Sequence, residues 1–116
     1  MSPTDASSSC EEYDIDKDSW SSLPDFPLKI CSNGLITTNN YLFSIGGIVK
    51  TDSQLSLIAN IFRLELGSID QWSSWEELNV TLSQPLCDIG TSQIKKDQIL
   101  VFGGWNFSSV SKVYKL

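Results

Sequence analysis

Apolar residues in this 116-residue chain fall in short runs, and the runs recur. Tyr41-Leu42-Phe43-Ser44-Ile45 closes on Gly46-Gly47, and Ile99-Leu100-Val101-Phe102 closes on Gly103-Gly104. Such short, nearly unbroken runs read as strands buried on both faces. Each follows a polar turn, Thr38-Asn39-Asn40 or Lys95-Lys96-Asp97, which predicts a hairpin with the stretch upstream, Gly34 to Thr37 or Gly90 to Ile94. After each glycine pair come a loop and an alternating segment, Asn60 to Leu66 and Val110 to Leu116. In the first of these, Phe62, Leu64 and Leu66 alternate with Arg63 and Glu65, so period two prevails over a helical reading of Leu55 to Leu66. A fourth strand in each unit carries a tryptophan, around Asp18 to Ser22 and Trp72 to Leu78.

The pattern as a whole occurs twice. Trp20, Leu23, Cys31, Gly34 and Gly46-Gly47 return as Trp75, Leu78, Cys87, Gly90 and Gly103-Gly104, at separations of 55 for the tryptophans, 56 for the cysteines and 57 for the glycine pairs. An antiparallel four-stranded meander of about 50 residues that recurs in this way predicts sheets stacked radially, as in a propeller.

In this order the residues resemble the kelch repeat, in which a buried strand ending in Gly-Gly is followed by a variable loop, an aromatic residue in the next strand, and a tryptophan. Gly46, Gly47, Phe62 and Trp75 match one full unit, with Phe62 standing where the family has tyrosine. Tyr13 and Trp20 match the end of a preceding unit, and Gly103, Gly104 and Tyr114 the start of a following one. Trp75 is preferred to Trp72 as the anchor because Trp-x-x-Leu then recurs. The resemblance implies an all-β fold of antiparallel four-stranded blades, an incomplete kelch-type β-propeller of about two blades. A flexible polar leader over residues 1–9 precedes a partial blade over 10–30, a complete one over 31–78 and a partial one over 87–116.

These anchors have packing roles. The glycine pairs let the backbone pass where a Cβ would collide with the next sheet. Trp20, Trp75, Tyr13, Phe62 and Tyr114 are expected to supply apolar area between adjacent sheets. Cys31 and Cys87, at one repeat position and without a Cys-x-x-Cys spacing, read as small buried hydrophobes and neither as a disulfide framework nor as zinc ligands.

Charge is unevenly spread. Residues 1–25 hold seven acids against Lys17, a net of −6, and the remaining residues balance. The acidic segment reads as a solvated leader with an exposed turn, or as an edge for a basic partner. No basic stripe with interleaved aromatics is present, so no nucleic-acid partner is expected. No apolar run approaches the roughly 18 residues that span a bilayer, so no membrane partner is expected, and a polar start without a signal pattern makes the cytoplasm the expected compartment.

Chemistry-bearing constellations are few. The sequence contains no histidine, which removes the commonest general base and metal ligand. Glu11-Glu12 and Glu76-Glu77 are adjacent on strands and point to opposite faces, so neither pair converges as an acid and a base. Neither catalysis nor a cofactor nor a metal is expected. Galactose oxidase is similar in architecture to kelch propellers, but its copper site uses histidines this sequence lacks.

Binding remains. In kelch-like domains the loops at one end of the propeller build the binding surface, which here implies residues 24–32, 48–59, 79–88 and 105–109. Trp105 and Phe107 are the candidate aromatic anchors for a protein partner, with Lys50 and Asp52 as loop charges. The expected function is a non-catalytic protein–protein interaction module or scaffold. The alternative is a remnant of a secreted carbohydrate-binding or carbohydrate-processing propeller, for which the sequons at Asn79 and Asn106 would carry glycans. Nine strands are too few for a ring of four to eight blades. The chain is therefore expected to be part of a larger propeller, to pair with further blades in trans, or to self-associate head to tail, bringing the acidic N-terminal region near Lys112 and Lys115.

Overall fold

Residues 6–52, 54–96, 98–106 and 113–115 are described by the computed structural model, and they form twelve strands and no helix. The strands are β1 (Cys10–Asp14), β2 (Ser19–Leu23), β3 (Lys29–Cys31), β4 (Gly34–Thr38), β5 (Tyr41–Ile45), β6 (Ile48–Thr51), β7 (Gln54–Leu57), β8 (Asn60–Glu65), β9 (Glu76–Thr81), β10 (Gly90–Lys95), β11 (Gln98–Phe102) and β12 (Val113–Lys115). The fold is all-β, and every strand pairing is antiparallel.

Four sheets result. The central one is the four-stranded meander β4-β5-β8-β9. Its hairpin turns at Asn39, which adopts a positive φ of 48°, a conformation asparagine tolerates better than most side chains. A C-terminal sheet, β10-β11-β12, repeats the first three strands of that meander, and an N-terminal hairpin, β1-β2, stands as a sheet of two. The fourth sheet, β3-β6-β7, corrects the sequence reading. Residues 48–59 do not form an open loop: Ile48–Thr51 and Gln54–Leu57 pair as a hairpin, and Lys29–Cys31 adds alongside. Leu55 and Leu57 alternate with Gln54 and Ser56, a strand signal only four residues long.

The sequence repeat is also a repeat of backbone conformation. Gly46 and Gly103 have φ of 62° and 69°, Gly47 and Gly104 have 114° and 103°, and Ser32 and Asp88 have 56° and 55°. A Cβ on Gly46 would lie 2.5 Å from the Leu86 carbonyl oxygen, so the glycine there answers both a left-handed dihedral and a close backbone approach. The same loops stitch the two repeats together. Gly47 N–H donates to the Leu86 carbonyl at 2.8 Å, and Asp88 N–H donates to the Ser32 carbonyl at 2.9 Å.

The central sheet is covered on both faces. Toward the C-terminal sheet it presents Ile45 and Ile61, which join Leu82, Leu86, Ile99 and Val101 in one buried cluster, with Ile36, Phe43 and Leu78 packed around it. On the opposite face Phe62 packs with Phe26 and Ile30, and Trp75 lies against them. Phe26 meets Phe62 edge-on at 4.8 Å and Trp75 at 5.0 Å between ring centroids. The connecting segments thus act as wedges. Phe26, Ile30 and Cys31 in one repeat and Leu82, Leu86 and Cys87 in the other, each pair 56 residues apart, are all buried.

Three expectations need correction. Trp75 is the packed anchor, but it precedes its strand: β9 begins at Glu76, and the tryptophan is fixed by its Nε1–H donating to the Pro24 carbonyl at 3.1 Å. Tyr13 and Trp20 do pair across β1 and β2, yet they are 40% and 67% exposed, because no sheet of the described residues lies over them. The end of the polar leader is tied down, since the Ser7 and Ser8 carbonyls accept from Ile30 N–H and Phe26 N–H at 3.0 and 2.8 Å.

Candidate interaction surface

The loop residues singled out from sequence occupy distinct places. Trp105 is 39% exposed, and its backbone is pinned to Cys87 by two hydrogen bonds, N–H to the Cys87 carbonyl at 2.9 Å and carbonyl from Cys87 N–H at 3.1 Å. The same bridge in the first repeat joins Cys31 to Ile48 at the start of β6. Lys50 lies within β6 opposite Lys29 and Leu55, and Asp52 occupies the β6–β7 turn at a positive φ of 48°. With Pro27, Leu28, Lys29 and Thr51 these two line a shallow concavity that does not include Trp105. Phe107 lies outside the described residues. For Tyr114 the description extends to the backbone, which pairs with Val101. Asn79 is exposed on β9, while the Asn106 side-chain amide donates to Gln84 Oε1 at 3.4 Å.

Exposed apolar side chains lie on the N-terminal hairpin, on the outer face of the C-terminal sheet and, at Trp72, in the β8–β9 connection. On the N-terminal hairpin, strand alternation puts Glu11, Tyr13, Trp20 and Ser22 on one face. The Tyr13 and Trp20 rings lie 5.0 Å apart, and the Tyr13 hydroxyl donates to an Asp18 carboxylate oxygen. That hydrogen bond raises the phenol's pKa. Ile15 at the turn is also exposed, Asp16 and Asp18 belong to the same turn, and Glu11 shares the face of Tyr13 and Trp20.

At the other end, Ile99 and Val101 of β11 point into the core, so Leu100 and Phe102 occupy the opposite face, together with Val113 and Lys115 across the β11–β12 register. Phe102 is 43% and Val113 64% exposed. The sequence carried a signal for this face, because Phe102 ends an otherwise buried run. It could not say whether another sheet covers it.

Between the central and C-terminal sheets a groove of about 290 Å³ remains, lined by Tyr41, Phe43, Arg63, Leu78, Val80 and Ile99 among others. Arg63 lies over the Tyr41 ring, 4.5 Å from its centroid, and pairs with Glu76 at 2.9 Å. This exposed pair contributes roughly 0.5 kcal/mol and serves mainly to orient the guanidinium. Val80, half exposed, is one of the lining residues.

The thiols are placed for packing. Cys31 and Cys87 are buried and unbridged. Burial, then the neighbouring Asp88, pushes the Cys87 thiol up to about 11, which keeps it protonated and unreactive. Cys10 is partly buried, and burial with Asp25 and Glu11 raises its pKa as well. Among the described residues no three His, Cys, Asp or Glu side chains converge on one point. No model of a known protein family matches the chain, and no curated protein matches it.

Proposed function

We propose that the chain is a non-catalytic protein-interaction module built from kelch-type propeller blades. The central sheet is one complete blade, and the N-terminal hairpin and the C-terminal sheet are parts of two others. Support comes from the meander order, from the two positive-φ glycine pairs that close β5 and β11, and from Phe62 and Trp75 packed on one face of the central sheet.

The observation that carries the functional reading is the pair of uncovered apolar faces at the ends of the stack. Tyr13 and Trp20 are exposed at one end, and Phe102 and Val113 at the other. Side chains of this size gathered on a sheet face mark a surface that a second macromolecule covers.

Binding measured between purified components tests it. Protein partners found by proximity labelling are re-measured one at a time with the chain at nanomolar concentration, and the contact is mapped by hydrogen exchange. Protection is expected over β1–β2, over β11–β12 or around Trp105. Trp105→Ala, with the fold verified by circular dichroism, separates the loop from the sheet faces. A chain that binds no protein, or that turns over a substrate, overturns the reading.

A further inference from the structure

We propose that the face of the β1–β2 hairpin holding Tyr13 and Trp20 is a docking site for an arginine-bearing basic segment of another protein. The partner's guanidinium stacks on the exposed indole and pairs with the hairpin's carboxylates. The inference rests on the interaction reading above and names the chemistry of the partner.

The first support is the ring pair itself. Tyr13 and Trp20 stand opposite each other in the β1–β2 register, with centroids 5.0 Å apart and planes tilted by 48°, so the two rings form one aromatic patch. The Tyr13 hydroxyl is tied to Asp18, and the indole is 67% exposed. A patch already fixed in place and open to solvent suits a planar, weakly hydrated cation, which stacks on an aromatic face.

The second support is charge. Glu11 shares the face of the ring pair and stands diagonal to Trp20, within about 8 Å across the two strands. Beside it a shallow concavity of about 430 Å³ is lined by Glu12, Tyr13, Asp14, Ile15 and Asp16. Among the described residues no ion pair joins any of these acids to a lysine or arginine. Residues 1–25 carry a net −6 with Lys17 as their only base, while the rest of the chain balances, so attraction for a cationic segment is concentrated on this hairpin. The same charge repels phosphate-bearing surfaces, which leaves a basic protein segment as the fitting occupant.

Third, the central sheet contains a filled example of the same arrangement. Arg63 lies 4.5 Å from the centroid of the Tyr41 ring and donates from Nε to Glu76 Oε2 at 2.9 Å, so a guanidinium is held by a ring and a carboxylate from neighbouring strands. The hairpin supplies a ring and a carboxylate in the same way. Arg63 is the only arginine in the sequence, so a guanidinium for the hairpin has to come from another molecule.

Fluorescence anisotropy of dye-labelled peptides of about four Arg-Gly, Lys-Gly or Glu-Gly units, titrated with the full chain at about 50 mM and about 300 mM salt, tests this. The Arg-Gly peptide is expected to bind at least about threefold more tightly than the Lys-Gly peptide, and the Glu-Gly peptide not at all. Trp20→Ala should weaken the Arg-Gly complex about fivefold or more. Glu11→Gln with Glu12→Gln should weaken it as well and reduce its salt dependence. Both variants should keep cooperative thermal unfolding, since all three side chains are exposed. Trp72→Ala, which removes an indole 81% exposed in the β8–β9 connection, should leave binding unchanged. Arg-Gly binding no tighter than that of the Lys-Gly or Glu-Gly peptide overturns the proposal, and so does binding indifferent to Trp20→Ala. The interaction reading has a separate readout: a protein partner that protects only β11–β12 or the region of Trp105 would leave it standing after such peptide results had removed the hairpin.

Discussion

Leu86→Ala gives the sharpest measure of how the central and C-terminal sheets are held together. Leu86 is fully buried in a cluster to which β5, β8 and β11 all contribute, and its backbone is bonded to Gly47 and Ile58. Removing three carbons of buried side chain costs about 2.4 kcal/mol at about 0.8 kcal/mol each. A sealed void of about 60 Å³ would add roughly 1.5 kcal/mol at about 24 cal/mol per Å³, for a loss of roughly 4 kcal/mol. With an unfolding entropy near 2 cal/mol/K per residue, that lowers the melting temperature by roughly 16 °C. Ile30 supplies the internal control, because it stands 56 positions earlier at the same point of the repeat. Its cluster is smaller, and it borders a solvent-open cleft of about 270 Å³ shared with Phe26, Leu42 and Trp75. Ile30→Ala leaves no sealed void, so only the transfer part, about 2.4 kcal/mol, is expected. Urea titrations followed by circular dichroism, with equal m-values, compare the two. Equal losses, or a larger loss at Ile30, would refute the claim that the main core lies between these sheets.

Two further substitutions probe the same architecture. Gly46→Ala, at φ 62° and facing the Leu86 carbonyl at 2.5 Å, is expected to cost about 2 kcal/mol or more, whereas Gly67→Ala, whose nearest atoms belong to Asn40 at 3.7 Å, should change stability by less than about 1 kcal/mol; urea midpoints check both. The Cys87 thiol has its pKa raised from 9.0 to about 11 in the fold, so its contribution to stability is complete below pH 9 and is lost as pH rises toward 11. Urea midpoints at pH 8 and pH 10.5 should therefore fall further for the native chain than for Cys87→Ala, and alkylation at pH 8 should mark Cys87 only after unfolding.

Much of the core was legible in the sequence, because glycine pairs, alternation and repeat spacing are local signals. Phe62, Ile45 and Val101 are buried as their strands suggested. Less legible was what depends on a neighbour. Trp20 and Trp75 share one motif, yet Phe26 packs edge-on against Trp75 while Trp20, beside Tyr13, stays largely exposed, and no pattern within the motif distinguishes them. The hairpin of β6 and β7 was hidden for another reason. Polar and apolar residues alternate weakly between Val49 and Leu57, and pairing with β3 depends on a segment that sequence reading treated as loop.

Ser32 and Asp88 share neither size nor charge, yet both hold a left-handed backbone, and the amide of the second clasps the carbonyl of the first. What the two repeats share is thus a set of main-chain handholds beneath differing side chains. Residues 34–89 behave in this sense as a cassette of 56 positions whose exit presents the same grip as its entrance. Inserted a second time in tandem, the cassette would find the torsions and carbonyls that receive it already in place, and the stack would lengthen by one four-stranded layer without redesign of either end.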